Sequence, residues 1–265
     1  MKKLKKFSLI LLIISSVAFV GFVVYDKIQA DTKPPVVTYP EETIECSVKV
    51  TEAELLQGVK AKDDRSGDVS DSLVVEKMSG MMDDGTRVIT YAAIDEQGNV
   101  GRAKRELKYT DYQKPRFSMS APLRFEEKDM DVDFLKNVHV ESSLDGDLSE
   151  KVKLSIPGGA YIYGAGSYPV ELHVTDSAGN TTVIPTIVDI YSRKEENIEL
   201  ELKEYLVYKK VNENFNPQEY LEDNGYGNVK INSEVNIQTP GVYQVEYVVT
   251  SGQSMGRTRL IVVVE

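Results

Sequence analysis

GTRVITYAAIDEQGN, residues 85–99, and GSYPVELHVTDSAGN, residues 166–180, are one phrase written twice, 81 positions apart. In both, Val, Ile, Leu, Thr and Tyr recur at alternate positions and the run closes on Asp-x-x-Gly-Asn. Alternation of β-branched and aromatic residues describes a strand with one buried face, and the Gly-Asn pair describes the turn that follows it. Another alternating run comes next each time, RELKY (105–109) and TIVDIYS (186–192), so the phrase reads as a hairpin. Asp95 and Asp176 can each accept hydrogen bonds from the amides of their own turn, which explains the phrase without a ligand.

Outward from the hairpin, more of the chain repeats. Gly67-Asp68-Val69-Ser70 returns 79 residues later as Gly146-Asp147-Leu148-Ser149, and PGVYQVEY (240–247) aligns with residues 165–172 at an offset of 75. The third copy carries TSGQSMGR (250–257) in place of Asp-x-x-Gly-Asn and closes on RLIVVVE (259–265). The prediction is an all-β chain of small two-sheet sandwiches at residues 31–110, 111–192 and a divergent 193–265.

DTKPPVVTYP (31–40), GVKAKDDRSGDVSD (58–71) and the 85–109 hairpin, in that order, resemble a bacterial immunoglobulin-like (Ig-like) surface repeat. That family runs from a Pro-led first strand through GV-x-A-x-D-x-x-x-GD to a D-x-x-GN hairpin and an alternating last strand. DGDLSEKV (145–152) and GSYPVELHVTDSAGNTTVIPTIVDIY (166–191) repeat the pattern. The third copy joins by position and strand pattern alone. The resemblance implies three tandem Ig-like β-sandwich domains with a non-catalytic role in adhesion, ligand or protein binding, or scaffolding at a bacterial cell surface.

Residues 7–25, FSLILLIISSVAFVGFVVY, are 19 residues without a charge behind the four lysines of MKKLKK. A bilayer-spanning helix takes about 20 apolar residues, and the basic flank sets the N-terminus in the cytoplasm. The expectation is a signal-anchor helix within residues 1–30, a single pass through the cell membrane and an extracellular remainder. Cleavage after Ala30 would make that remainder secreted.

The chain carries −11, of which residues 1–30 contribute +4, leaving −15 on residues 31–265. Such a surface repels phosphates, so nucleic acid is excluded as a partner; an unknown surface protein or glycan is expected instead. The single cysteine, Cys46, has no partner for a disulfide within the chain, and the two histidines, His139 and His173, sit in strand-like runs. No nucleophile elbow, zinc-binding HExxH or phosphate loop occurs, which argues against an enzyme; one acting on envelope glycans is the rival from another class.

Acidic loops supply candidate oxygen ligands for a hard cation: Asp63, Asp64, Asp68 and Asp71 in the first copy, and Asp145, Asp147 and Glu150 in the second. No cofactor is required, and calcium stiffening a stalk is the alternative these residues offer. Its mark would be Asp68 or Asp147 among other acids. The third copy concentrates aromatic residues, and Tyr220 and Tyr226, flanking Asn224-Gly225, are the candidate ligand-binding pair because tyrosine joins a flat apolar face to a polar tip.

Overall fold

The computed structural model describes residues 2–82, 84–129, 133–159, 161–222, 225 and 228–265. Beyond α1 (Lys2–Gln29) and the single turn α2 (Glu52–Leu55), the chain is built from β-sheets and short 3-10 turns. All-β is therefore its class.

The membrane anchor expected at residues 7–25 is corrected here. The segment is helical, but among the described residues no helix is long and apolar enough to cross a membrane. Within the segment Ser15 and Ser16 turn their hydroxyls onto the Leu12 carbonyl at 3.1 and 2.8 Å. The signal-anchor and the single-pass location in the cell membrane do not stand.

The chain divides into two compact units, Met1–Thr110 and Asp111–Glu265. In the first, β1 (Val36–Thr38), β3 (Lys60–Asp63) and β4 (Gly67–Asp68) form one sheet in the order β1-β3-β4. The other has the order β2-β7-β6-β5, from β2 (Thr43–Cys46), β5 (Val74–Met78), β6 (Thr86–Ile94) and β7 (Val100–Tyr109). The alternation of the opening phrase places Ile89, Tyr91 and Ala93 in the core with Val37, Ala61 and Leu107. The fully buried Tyr91 hydroxyl donates to the Leu55 carbonyl at 2.9 Å, so its polar tip is satisfied. Half-buried Cys46 packs against this core from the end of β2.

Residues 31–35 lie close over β7, and Gly101 makes room for them: a Cβ there would meet the Pro35 carbonyl oxygen at 1.8 Å. That approach seats Asp31 beside the hairpin turn.

The second unit repeats the plan. One sheet runs β11-β10-β8, from β8 (Arg116–Met119), β10 (Val138–Ser142) and β11 (Gly146–Asp147); its partner runs β12-β13-β14-β9, from β9 (Arg124–Glu126), β12 (Lys153–Ser155), β13 (Gly166–Thr175) and β14 (Thr181–Tyr191). A third sheet runs β15-β18-β17-β16, from β15 (Leu206–Lys209), β16 (Val229–Ser233), β17 (Gly241–Ser251) and β18 (Ser254–Val264). In all three copies an early strand pairs in parallel with the last one: β2 with β7, β9 with β14, β15 with β18. Where a three-stranded partner sheet would accompany the third copy, the described residues show the isolated bridge Leu202–Leu221.

Residues 111–192 and 193–265 share one apolar cluster that includes Phe117, Leu172, Val188, Leu206, Val245, Tyr247 and Leu260. Polar ties join the same parts. The Tyr208 hydroxyl accepts from the Phe117 amide at 2.8 Å, Arg259 reaches Asp189 at 2.8 Å, and Arg124 reaches Glu196 at 2.5 Å.

Candidate functional site

The turn after β6 and the turn after β3 bring acidic residues together at one end of the first unit. One carboxylate oxygen from each of Asp31, Asp63 and Asp95 lies within 4.8 Å of the others, and all three residues are buried, at 9 %, 3 % and 6 % exposure.

Each carboxylate has one oxygen occupied by local backbone. Asp63 Oδ1 accepts from the Arg65 and Ser66 amides at 2.8 and 2.7 Å, Asp95 Oδ1 from the Gln97 and Asn99 amides at 2.9 and 2.8 Å, and Asp31 Oδ1 from the Lys33 amide at 3.0 Å. The second oxygens differ. Asp95 Oδ2 accepts from the Asn99 side-chain amide at 2.7 Å, and that amide also donates to the Asp31 carbonyl at 3.1 Å. Asp63 Oδ2 and Asp31 Oδ2 are buried with no hydrogen-bond partner. The half-exposed Arg65 has its Nε 3.9 Å from Asp31 Oδ2.

Bonds from the Ser66 and Arg65 amides hold the Asp63 carboxyl below the ordinary carboxylate range. For Asp95, burial pushes upward, but bonds from the Asn99 side chain and from the Asn99, Gln97 and Gly98 amides outweigh it, and the carboxyl also lies low. Both are held in the charged form.

The second unit has the same turns with other chemistry. Ser142 stands where the first copy has Asp63, and its hydroxyl accepts from the Leu144 and Asp145 amides, both at 3.2 Å. Asp176 keeps the turn bonds of Asp95, with Oδ1 accepting from the Ala178 and Asn180 amides at 2.9 Å each. Its Oδ2 accepts from the Tyr112 hydroxyl at 2.6 Å. Burial, then the bond to Asp176, push that phenol well above its ordinary value, so it stays a donor. This pocket is closed by a neutral side chain.

Of the other acidic candidates, Asp64 is exposed and pairs with Lys33 at 2.8 Å. Asp68 and Asp147 are exposed and serve as turn acceptors, bound by Ser70 and Ser149 through both amide and hydroxyl. Asp145 accepts from the Ser177 amide at 2.8 Å, while Asp71 and Glu150 are exposed on 3-10 turns. Asp63 alone of the predicted set enters the cluster. Asp31 and Asp95 are the members that sequence reasoning missed; the visible signal was that Asp63 becomes Ser142 shortly before the repeated Gly-Asp pair.

Tyr220 is half-buried, stacked on Phe215 at 5.7 Å and packed against the core of the second unit; Tyr226 lies outside the described residues. Among the described residues, the exposed tyrosines of this unit are Tyr161 and Tyr163, at 81 % and 76 % exposure, in the connection before β13. The Tyr168 hydroxyl donates to the Tyr163 carbonyl and accepts from the Tyr163 amide at 3.3 Å. The loop is thus pinned from beneath, and Gly164 takes a left-handed φ of +65° within it.

No protein-family model matches the chain, and no curated protein matches it. Among solved structures, it is similar to the CBM51-2 and INT domains of ZmpB from Clostridium perfringens, in complex with GlcNAc, at 10 % identity and a TM-score of 0.23, covering 87 % of this chain and 42 % of that one. It is likewise similar to the protocadherin GammaB4 extracellular domain, at 12 % identity and 0.22, covering 88 % and 50 %. Drosophila N-cadherin EC1-4 gives 15 % identity and 0.24, covering 78 % and 63 %. The chain thus spans about half the length of these structures.

Proposed function

We propose that this chain is a non-catalytic binding and scaffolding protein, in which the second unit presents a recognition loop to a glycan or protein partner. The observation that carries this reading is the loop at Tyr161 and Tyr163: two large aromatic rings stand in solvent while Tyr168 fixes the backbone beneath them. Exposed aromatic rings on a fixed backbone suit recognition, because little conformational freedom is lost on binding and the rings bury large area. The continuous apolar core and the Arg259–Asp189 ion pair of the same unit suit a rigid mount.

The test is a glycan and protein binding array with the full chain and with the Tyr161→Ala/Tyr163→Ala double variant. The expected result is binding by the parent, loss of at least tenfold in affinity in the variant, and an unchanged unfolding midpoint. Binding that survives both substitutions, or any cleavage of the bound glycan, would contradict the reading.

A further inference from the structure

We propose that Asp31, Asp63 and Asp95 of the first unit form a calcium site, which goes beyond the binding role assigned to the second unit. The argument starts from an oxygen that folding does not need. In the second copy Ser142 performs the turn duty of Asp63 with a single acceptor atom, taking the amides two and three residues on. Asp63 performs it with Oδ1 alone. Its Oδ2 is therefore surplus to the turn, yet it is buried to 3 % residue exposure with no hydrogen-bond partner. A buried polar atom without a partner is costly, and a buried charge without one more so. Asp31 Oδ2 is a second buried oxygen lacking a hydrogen bond, and a carboxylate of Asp95 completes the group.

Like charges this close disfavour one another unless a cation lies among them. Arg65 supplies only a long, solvent-screened counter-charge: its side chain is 51 % exposed and its Nε lies 3.9 Å from Asp31, beyond hydrogen-bond reach. The donor set is all carboxylate oxygen, which selects a hard cation. Calcium bonds oxygen at about 2.4 Å and so reaches oxygens on opposite sides up to about 4.8 Å apart, and the three ligand atoms lie no farther than 4.8 Å from one another. The second copy confirms the logic by contrast: with Ser142 in place of the aspartate, the Tyr112 hydroxyl satisfies Asp176 Oδ2. The same fold end is a cation centre in one copy and a hydrogen-bonded plug in the other.

The experiment uses the full chain, stripped with EGTA, and the variant Asp63→Ser, which copies Ser142 and keeps the turn acceptor. Thermal unfolding is followed by circular dichroism in EGTA and in millimolar calcium. A ligand that binds only the folded state raises the midpoint of the unit that holds it, here by about 5 °C for a unit of this size, while Asp63→Ser gives no shift. Should Asp63→Ser fail to fold, Asp31→Asn with calorimetric calcium titration carries the test, and calcium heats equal to the parent's would overturn the proposal. A parent midpoint that ignores calcium overturns it, as does an Asp63→Ser variant that responds as the parent does.

Discussion

The aspartates of this chain show how one residue type divides between turn building and other work. Asp147 sits exposed with Oδ1 taking both the amide and the hydroxyl of Ser149, at 2.8 and 2.5 Å. The Ser149 hydroxyl, then its amide, hold the carboxyl below its ordinary value. A depressed folded-state pKa adds stability above the unfolded value of about 3.9, and that contribution disappears as pH falls through the folded value. Asp147→Asn should therefore unfold at lower urea than the parent at pH 6, with the difference closing below about pH 4; urea midpoints across this range check it, and a gap independent of pH would contradict it. The turn role of Asp95 and Asp176 was legible in Asp-x-x-Gly-Asn. The role of the asparagine was not: Gly98 and Gly179 alone take the left-handed φ, at +90° and +87°, while Asn99 uses its side-chain amide to tie Asp95 to the Asp31 carbonyl. A turn motif shows which backbone amides are nearby, not which distant residue the chain returns to that turn.

The long hairpins are the elements that periodicity reads best. β6–β7, β13–β14 and β17–β18 pair over nine to eleven residues each, enough for alternation to declare a buried face. In the third hairpin Gly252 at φ +63° and Gln253 join Ser251 to Ser254, so a two-residue turn replaces the Asp-x-x-Gly-Asn loop and the hairpin survives the sequence change. Short strands show no period for the opposite reason. β4 and β11 have two residues each and β1 has three, too few for alternation, so only the repeat and the family resemblance pointed to them. Two glycines separate the physical causes at this scale. Gly179 has open space around it but a left-handed φ, so Gly179→Ala should cost about 1–2 kcal/mol. Gly101 needs no unusual φ but faces the Pro35 carbonyl, so Gly101→Ala should cost at least about 3 kcal/mol by forcing residues 31–35 off β7. Urea unfolding of both variants orders them; equal costs would refute the close-approach account.

In the whole molecule, the repeat period marks where each copy ends but not which copies share a core. The boundary between residues 110 and 111 coincides with a break between compact units, whereas residues on both sides of 192 belong to one apolar cluster. The cause lies in tertiary contacts, such as Arg259 reaching Asp189 across 70 residues of sequence, which no local pattern encodes. Asp189 also accepts from Ser167 and is 7 % exposed, so Asp189→Ala leaves Arg259 with Glu246 alone and should cost about 3 kcal/mol. Its signature is a lower midpoint for the transition of residues 111–265 without splitting it in two. A calorimetric scan that resolves residues 111–192 and 193–265 as separate transitions would contradict a shared core. The central claim is that one fold end serves a cation in the first copy and a hydrogen-bonded tyrosine in the second, and calorimetric titration of calcium into the EGTA-stripped full chain tests it most directly. The account predicts one ion per chain. No binding would contradict the aspartate centre, and two equivalent ions would contradict the closure of the second copy by Tyr112.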